Sequence, residues 1–391
     1  APIFLGGQFQ DEQTGAQFGE MLDRFDSSRS TRFMLSNGRH PDGFAPSGVF
    51  RWYEFLEFYV SERIPKVNSV IRLVGAEQIG NAFHIDGYKF PDDRFTEYAT
   101  YEEALAAYEA EPDVLLLIEN GAGNLEQLGT HFERSQAHFE SWPPPDNVHK
   151  TWYVGGSGRL SNSAVTTAGA DAWSFDPEAG DEDFFGPSGY QIMRPLWDQD
   201  WTRFAAGDAV SYVTDAFAQD ALVAGPGVAE LWIRSPEDDV TVQVTLTEVR
   251  PDGNEVLIQS GWLRLGHRAA SMGDDLRLER SYSSKDFASV PVGEWVRADV
   301  SIPSVAHPVR EGSRLRMIVS SPGRDHGTWL FESPEYDGKP RFELGRGGAH
   351  SSKLTMAIVP DVDIAKGLPP CPSLRGQPCR AYEPVENVVA E

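Results

Sequence analysis

The hydrophobic pattern of the first sixty residues predicts alternating strands and helices. An apolar run at 2–5 that ends in two glycines is typical of a short buried strand, and 33–35 indicates the next strand. Between them, 14–26 place apolar residues at helical spacing: Phe18, Met21, Leu22 and Phe25. A second helix is predicted beyond 47, with one face made of these residues: Trp52, Phe55, Phe58 and Tyr59. This order, with loops at the carboxyl ends of the strands, predicts the edge of a parallel α/β sheet.

The pattern changes character farther along the chain. Residues 101–110 indicate a short Ala/Glu helix, 114–118 a strand and 152–154 another strand, and the prolines at 143–145 exclude a helix there. From about residue 160, short strands separated by turns dominate. The clearest is 240–246, which alternates valine or leucine with polar residues and is joined by a Pro-Asp-Gly turn to a strand at 256–258. Further strands are expected at 231–233, 296–302, 315–319 and 354–359, which together predict a β-sandwich or jelly roll.

Charge and composition exclude some classes of function. The 391 residues carry a formal net charge of −25, which disfavours nucleic acid as a partner because phosphate binding needs clustered cations. No apolar run reaches the roughly 18 residues that a membrane helix needs. The first residues indicate a buried strand and not a signal peptide.

Two cysteines, Cys371 and Cys379, flank a loop rich in proline and glycine. A local disulfide is the favoured interpretation, and it suggests an oxidising compartment. Two free thiols, or half of a metal site, are the alternatives. Because the chain has no second cysteine pair and no histidine nearby, zinc is disfavoured.

Two polar residues stand where catalytic side chains of a parallel sheet would lie. Asp11 follows the first predicted strand and His40 follows the second, so both are expected at the same sheet edge. Asp11 alone also fits a carboxylate at a helix N-terminus, favoured by the helix dipole. His40 alone fits a surface loop. As a pair they have the order of the acid and histidine of a catalytic triad in which the serine comes first.

The serine of such a triad is missing from the sequence. No Gly-x-Ser-x-Gly pattern occurs, and the nearest candidates, Ser157 and Ser188, lie in glycine-rich turns after the histidine instead of before it. The chain is therefore predicted to hold the acid and the base of a triad but not its nucleophile.

With these residues in place, the chain resembles the C-terminal portion of CocE/NonD-type serine hydrolases, which are related to X-Pro dipeptidyl-peptidases. Gly6–Asp11 (GGQFQD) is similar to the family's Gly-Gly-Trp-x-Asp segment, and Asn37–His40 (NGRH) takes the place of its Gly-Pro-Trp-x-His-Gly segment. Arg39 and Pro41 depart from that pattern. The likeness continues in order downstream, through segments at 141–144, 152–154, 212–215, 225–232, 249–268 and 311–321.

The resemblance implies a fold in several parts. We expect residues 1–90 to be the C-terminal edge of an α/β-hydrolase sheet, and 91–190 to be a connecting region with the first strands of a β domain. Residues 191–375 would form a jelly-roll, galactose-binding-like β-sandwich, and 376–391 a tail.

The resemblance also implies an enzyme that cleaves ester, amide or X-Pro peptidyl bonds through an acyl-enzyme, with Asp11 orienting His40. This chain alone would be incomplete, with the serine upstream or on a companion chain. An exposed sheet edge at 1–5 would invite aggregation, which favours the companion chain. A homo-oligomer, formed with further copies of the same chain, is an additional expectation. We expect no cofactor, no metal and no membrane span, and a secreted, cell-envelope or periplasmic location.

The chief alternative is a non-catalytic carbohydrate-binding or structural β-sandwich module. Its candidate sugar-stacking residues, for which core packing is the simpler interpretation, are Trp197, Trp201, Trp232 and Trp262. An acidic run could bind calcium, although it lacks the spacing of a recognised loop and a solvated loop is favoured: Asp176, Glu178, Asp181, Glu182 and Asp183. Phe9, Phe44 and Trp52 are close enough in sequence to Asp11 or His40 to reach an acyl pocket, although ordinary packing is the simpler role.

Overall fold

The computed structural model describes residues 1–176, 193–196, 201–322, 334–360 and 362–390. It divides into two units. The first, called the α/β unit here, consists mainly of Ala1–Pro145 and Asp363–Gln377 and also includes 193–196. The second, called the β unit, contains the other described residues from Asp146 onward. The observed boundary at Pro145 differs from the predicted one at residue 90, because strands beyond 90 join the first sheet.

The α/β unit contains a four-stranded sheet in the order of the chain. Its strands are β1 (Ile3–Gln8), β2 (Thr31–Ser36), β3 (Val114–Ile118) and β4 (Ser135–Phe139). The first three are parallel and β4 is antiparallel to β3. All five residues of β3 are buried, as expected of a strand covered on both faces. The predicted parallel edge is confirmed, and among the described strands β1 pairs only with β2.

The helices follow the hydrophobic pattern in part. The segment predicted as an amphipathic helix forms a 3₁₀ helix, Ala16–Phe25, in which Leu22 is buried and Met21 is 44% exposed. The α-helices are α1 (Pro46–Tyr59), α2 (Ser69–Ala82) and α3 (Tyr101–Glu109). α3 begins at a capping box formed by Thr100 and Glu103, which explains why its start was predictable.

α2 was not predicted, and the reason is visible in its burial. Its large apolar side chains are mostly exposed, so they form no stripe that faces the core: Val70, Ile71, Leu73 and Val74. α1 shows the same effect at one position, since Phe55 and Phe58 are buried as predicted but Trp52 is 45% exposed.

The described residues of the β unit form fifteen strands. They are β5 (Val148–Gly155), β6 (Arg159–Ser161), β7 (Gly169–Ser174), β8 (Ala209–Thr214), β9 (Ala221–Arg234), β10 (Thr241–Val249), β11 (Asn254–Arg264), β12 (Ser271–Met272), β13 (Leu278–Glu279), β14 (Trp295–Val309), β15 (Arg314–Ser320), β16 (Arg341–Arg346), β17 (Lys353–Pro360), β18 (Cys379–Ala381) and β19 (Val388–Val389). Thirteen of them form one hydrogen-bonded system in the order β18-β11-β10-β15-β8-β6-β5-β17-β9-β16-β7-β19, with β14 paired to β9. The prediction that residues 376–391 form a tail is therefore corrected, because β18 and β19 belong to this sheet.

The hairpin predicted from the Pro-Asp-Gly turn is confirmed. β10 and β11 pair antiparallel, and Gly253 in the turn has φ 85°, a backbone conformation that favours glycine. The apolar side chains Val242, Val244 and Leu246 are fully buried, but so are the alternating Gln243 and Thr245. Gln243 Nε2 donates to Thr245 Oγ1 at 3.0 Å, so the second face of this strand is also covered and its polar groups are paired.

Cys371 and Cys379 are joined by a disulfide, as predicted, and neither is a free thiol. Arg375 lies inside the loop that this bond closes.

Candidate active site

Asp11 and His40 follow the carboxyl ends of two neighbouring parallel strands. β1 ends at Gln8 and β2 at Ser36, and these two residues are partners in the register of the pair. Because the strands run in the same direction, the loops that follow them meet at one edge of the sheet. Phe9 N donates to Ser36 O at 2.9 Å, which holds the two loops together as they begin.

The structure brings the two predicted residues into contact. His40 Nδ1 lies 2.8 Å from Asp11 Oδ2. The Asp11 side chain is 8% exposed, whereas that of His40 is 41% exposed. The acid is therefore enclosed, and the histidine ring reaches the surface.

The second oxygen of Asp11 fixes the local backbone. Oδ1 accepts hydrogen bonds from the amides of Gln13 at 2.7 Å and Thr14 at 2.9 Å. The helix-capping interpretation of Asp11 was partly right, because this carboxylate does hold the turn before the 3₁₀ helix, although Gly15 is the cap residue. One oxygen shapes the turn and the other is left for His40.

This contact defines the tautomer of a neutral His40. A carboxylate can only accept, so the proton of the ring must lie on Nδ1 and Nε2 is left with a free lone pair. An imidazole in that state can take a proton at Nε2, and the adjacent carboxylate stabilises the cation that results.

Residues beside the pair hold its backbone, and they were not predicted. Glu12 is buried and its Oε2 accepts from the His40 amide at 3.1 Å. Gln10 Oε1 accepts from the Gly38 amide at 3.1 Å. Arg39 Nη1 donates to Gln10 O at 3.2 Å, so the residue that departs from the family pattern is a buried contact between the two loops. The signal in the sequence was a run of polar residues directly after a buried strand.

A buried ionic cluster underlies the histidine loop. His40 begins a short 3₁₀ helix, His40–Phe44, called the histidine turn here, and Asp42 within it is 0% exposed at its side chain. Arg375 binds the Asp42 carboxylate with two hydrogen bonds, and His131 Nε2 lies 2.9 Å from Asp42 Oδ1. Neither Arg375 nor His131 was singled out, because they are distant from Asp42 in sequence and meet it only in the fold.

The electrostatics of this cluster favour a carboxylate at Asp42. Burial alone raises the pKa of Asp42, but the charge of Arg375 and the contact with His131 outweigh it and hold that pKa well below its usual range. Burial lowers the pKa of His131, against the attraction of Asp42. The cluster is thus an Asp⁻–Arg⁺ pair with a neutral histidine beside it.

The other candidate residues differ in burial and position. Phe9 is buried, with its ring stacked on Phe18 at 5.7 Å between centroids and tilted against Trp142 at 5.3 Å, whereas Phe44 is 62% exposed. Ser157 occupies the turn between β5 and β6, as predicted. Ser188 lies outside the described residues.

The tryptophans of the alternative interpretation have packing partners. Trp201 is 7% exposed and stacks against Arg380, and Trp262 donates to Gln243 at 2.7 Å. Trp232 packs on His350 at 5.1 Å. Trp197 lies outside the described residues, as do Glu178, Asp181, Glu182 and Asp183 of the acidic run.

The described residues offer neither a metal-binding cluster nor a membrane-spanning helix. No cluster of three or more His, Cys, Asp or Glu side chains is arranged to hold a metal ion among them. Within the same part of the chain, no helix is both long and apolar enough to cross a membrane.

Several solved structures share the fold of this chain. The chain is similar to a CocE/NonD family hydrolase from Staphylococcus aureus, with a TM-score of 0.61 and 14% identity over 92% of this chain and 54% of that one. It is also similar to an α-amino acid ester hydrolase, with a TM-score of 0.54 and 14% identity over 90% of this chain and 54% of the other. An aminopeptidase from a marine sediment archaeon (Thaumarchaeota archaeon) has a TM-score of 0.55 at 14% identity, over 92% of this chain and 55% of its own. At these identities the likeness shows the fold.

Comparison of the sequence with known proteins identifies the family. The cocaine esterase of Rhodococcus sp. (strain MB1 Bresler) is 26% identical over 196 residues, which cover 46% of this chain and 31% of that enzyme. The model of the X-Pro dipeptidyl-peptidase C-terminal non-catalytic domain matches residues 106–355. The chain belongs to this family, and its relatives are CocE/NonD esterases and peptidases. It spans about half the length of the solved relatives and a third of the esterase.

Proposed function

We propose that this chain supplies the acid, Asp11, and the general base, His40, of a serine hydrolase that cleaves ester or amide bonds, including X-Pro peptidyl bonds, through an acyl-enzyme. The observation that carries the proposal is the 2.8 Å contact between His40 Nδ1 and the enclosed Asp11 carboxylate. The exposure of the His40 ring supports it, because the base must reach a serine and a substrate.

In this proposal each group has a defined role. His40 Nε2 takes the proton of the serine hydroxyl as that oxygen attacks the carbonyl carbon, and it then delivers the proton to the leaving alcohol or amine. Water repeats the sequence to release the acid. Asp11 keeps Nδ1 protonated and stabilises the imidazolium without taking its proton.

The nucleophile in this proposal lies on polypeptide outside these 391 residues, upstream or on a companion chain. The sequence contains no Gly-x-Ser-x-Gly elbow, and one edge of β1 has no partner among the described strands, so it could accept a further strand of the catalytic sheet. For the β unit we propose a jelly-roll, galactose-binding-like sandwich. The disulfide supports an oxidising location, secreted, periplasmic or in the cell envelope.

The test is hydrolysis by the natural form of the protein. The chain is tagged in its host and purified with everything that remains bound, and a panel of p-nitrophenyl esters and X-Pro p-nitroanilides is assayed. We expect turnover that a fluorophosphonate abolishes. An assembly that hydrolyses nothing in the panel, or whose turnover survives the fluorophosphonate, contradicts the proposal.

Native mass spectrometry of the same sample tests the companion chain. The proposal expects a complex with a second polypeptide, or a longer chain that contains this sequence. A stable monomer of these residues alone, active on the panel, contradicts it.

A further inference from the structure

The histidine turn is anchored by a residue that comes from the far end of the chain. Arg375 and Asp42 are separated by 333 positions in sequence. Arg375 Nε donates to Asp42 Oδ2 at 2.7 Å, and its Nη2 donates to Oδ1 at 2.8 Å. The two side chains are 1% and 0% exposed. This is a bidentate ion pair from which solvent is excluded.

The same anchor also fixes the segments that follow β2 and β3. Asn37 Nδ2, directly after β2, donates to Arg375 O at 3.0 Å. The Arg375 amide donates to the carbonyl of Asn120, which follows β3, at 3.0 Å. Asn120 and Asn37 are themselves joined, since the Asn120 amide donates to Asn37 Oδ1 at 2.8 Å. Arg375 thus sits where the chain leaves two neighbouring strands.

The Asp42 carboxylate transmits this anchoring to His40. Its Oδ2 accepts from the Arg39 amide at 3.0 Å, and Arg39 immediately precedes the histidine. On the other side, Glu12 accepts from the His40 amide. The backbone of His40 is therefore held between Glu12 and the Asp42–Arg375 pair.

The stability of the fold does not by itself require an ion pair at this place. Removing two charges from water is costly, and well-packed apolar side chains of similar volume often serve the fold equally well or better. What a bidentate Arg–carboxylate pair adds is a fixed geometry. The pair lies beside the candidate general base, where a fixed geometry would serve to orient His40.

We propose that Arg375 and Asp42 are positioning residues of the active site, which orient the histidine turn so that the His40 ring meets Asp11. They touch neither substrate nor the reacting atoms. The segment Asp363–Gln377, which follows the last long strand of the β unit, is by this account a component of the catalytic apparatus. The proposal rests on the function proposed above.

The test compares Arg375→Met with a matched control, Arg316→Met. Arg316 forms an equally buried pair with Glu255 inside the β unit, at 2.7 Å with side chains 3% and 0% exposed. Two properties are measured in the natural full-length assembly: kcat and KM, and the ¹⁵N and ¹H signals of the His40 ring. The ring signals report the tautomer and the hydrogen bond at Nδ1, which loss of stability alone does not move.

We expect Arg375→Met to lower kcat about 10- to 100-fold at nearly constant KM, because a small misplacement of a catalytic group has this cost. The His40 Nδ1 proton should broaden or shift. Arg316→Met should leave both readouts as in the wild type. Arg375→Lys, which keeps the charge but not the fork geometry, should fall between them.

A folded Arg375→Met protein with wild-type kcat and wild-type His40 signals would overturn the proposal. If that variant does not fold, Arg375→Lys decides the matter on the same two readouts, and unchanged His40 signals again count against it. Failure of this proposal can be distinguished from failure of the proposed function. If the proposed function is wrong, His40→Gln leaves turnover intact, whereas the His40 ring signals of the Arg375 variants still report the position of the ring.

Discussion

The two units bury polar groups in different ways, and the contrast shows where function is to be sought. The β unit has a continuous apolar core, and its buried ion pairs, such as Arg316 with Glu255, lie along the strands themselves. In the α/β unit a few buried charged side chains lie within β2 and α1 (Arg32, Glu54 and Glu57), but many other buried polar groups lie just beyond the ends of β1, β2 and β3. They include Glu12, Asn37, Asp42 and Asn120.

The buried polar groups of the two units contact different kinds of residue. A charge buried within a covered sheet needs a partner but serves no exposed group. At the strand ends of the α/β unit, every buried polar residue that has been named contacts the loop of His40 or its neighbour, and His40 remains partly exposed. The buried groups there fix the geometry of one accessible side chain.

The largest difference between the effects on catalysis and on stability is expected at His40. Replacing it with Gln should lower kcat of the natural assembly about a millionfold, by analogy with loss of the histidine in other triads. Because the ring is partly exposed, the free energy of unfolding should change by less than about 1 kcal/mol. His138→Gln, at an exposed position on β4, is the control for kinetics. Equal activities of the two variants would remove His40 from the mechanism.

Asp11→Asn should lower kcat about ten-thousandfold. The amide has the size of the carboxylate but can present its NH₂ group to His40, which favours the wrong tautomer. Steady-state kinetics gives the loss, and the ¹⁵N shifts of the His40 ring should show the proton moved from Nδ1 to Nε2. Retention of the Nδ1–H tautomer together with full activity would contradict the assigned role.

A cavity in the β unit should have the opposite signature. Leu231 is fully buried in its core, and Leu231→Ala should lower the free energy of unfolding by about 2–5 kcal/mol. Urea unfolding followed by circular dichroism measures this loss. The His40 ring signals of the folded variant should match those of the wild type. A changed His40 spectrum would mean that the two units are not separable in the way described.

The sequence predicted most of what local pattern and chain order control. The strands before Asp11 and His40, the hairpin at Gly253, and the pairing of Cys371 with Cys379 follow from short-range signals. The 3₁₀ form of the helix at 16–25 was not predicted; its buried residues recur every three positions, at Ala16, Gly19 and Leu22. α2 was not predicted because its exposed apolar residues form no stripe that faces the core.

The supporting residues of the site could not be predicted for another reason. His131 and Arg375 reach Asp42 across 89 and 333 positions, and one sequence carries no signal for so distant a contact. Glu12 is adjacent to Asp11 in the sequence and was therefore easier to notice. Its contact, however, is with the His40 amide, which only the fold brings near.

The pH dependence of stability should distinguish the ionic cluster from the rest of the α/β unit. The pKa of Asp42 is lowered in the fold, so its contribution is complete above about pH 4 and is lost as the pH falls below that value, where the unfolded chain binds the proton first. Asp42→Asn should therefore be less stable than the wild type at pH 7, and the difference should shrink below pH 4. Urea unfolding at pH 7, 5 and 3.5 tests this, and a constant difference would contradict it.

Loss of the disulfide should affect kcat less than the substitutions of His40, Asp11 and Arg375. The bond closes a short loop around Arg375, and its loss should lower the free energy of unfolding by at most about 3 kcal/mol. The paired variant Cys371→Ser with Cys379→Ser provides the measurement without a reductant. Because Arg375 keeps its contacts with Asp42, kcat should fall less than in Arg375→Met. A larger fall in the disulfide variant would mean that the loop, and not the ion pair, holds the histidine turn.

The central claim is that this chain holds the acid and the base of the site but not its nucleophile. Fluorophosphonate labelling of the natural assembly, with the modified peptide mapped by mass spectrometry, tests it most directly. The account predicts a modified serine in polypeptide outside these 391 residues, and no labelling after His40→Gln. A modified serine within this sequence, at Ser157 or any other position, would contradict it.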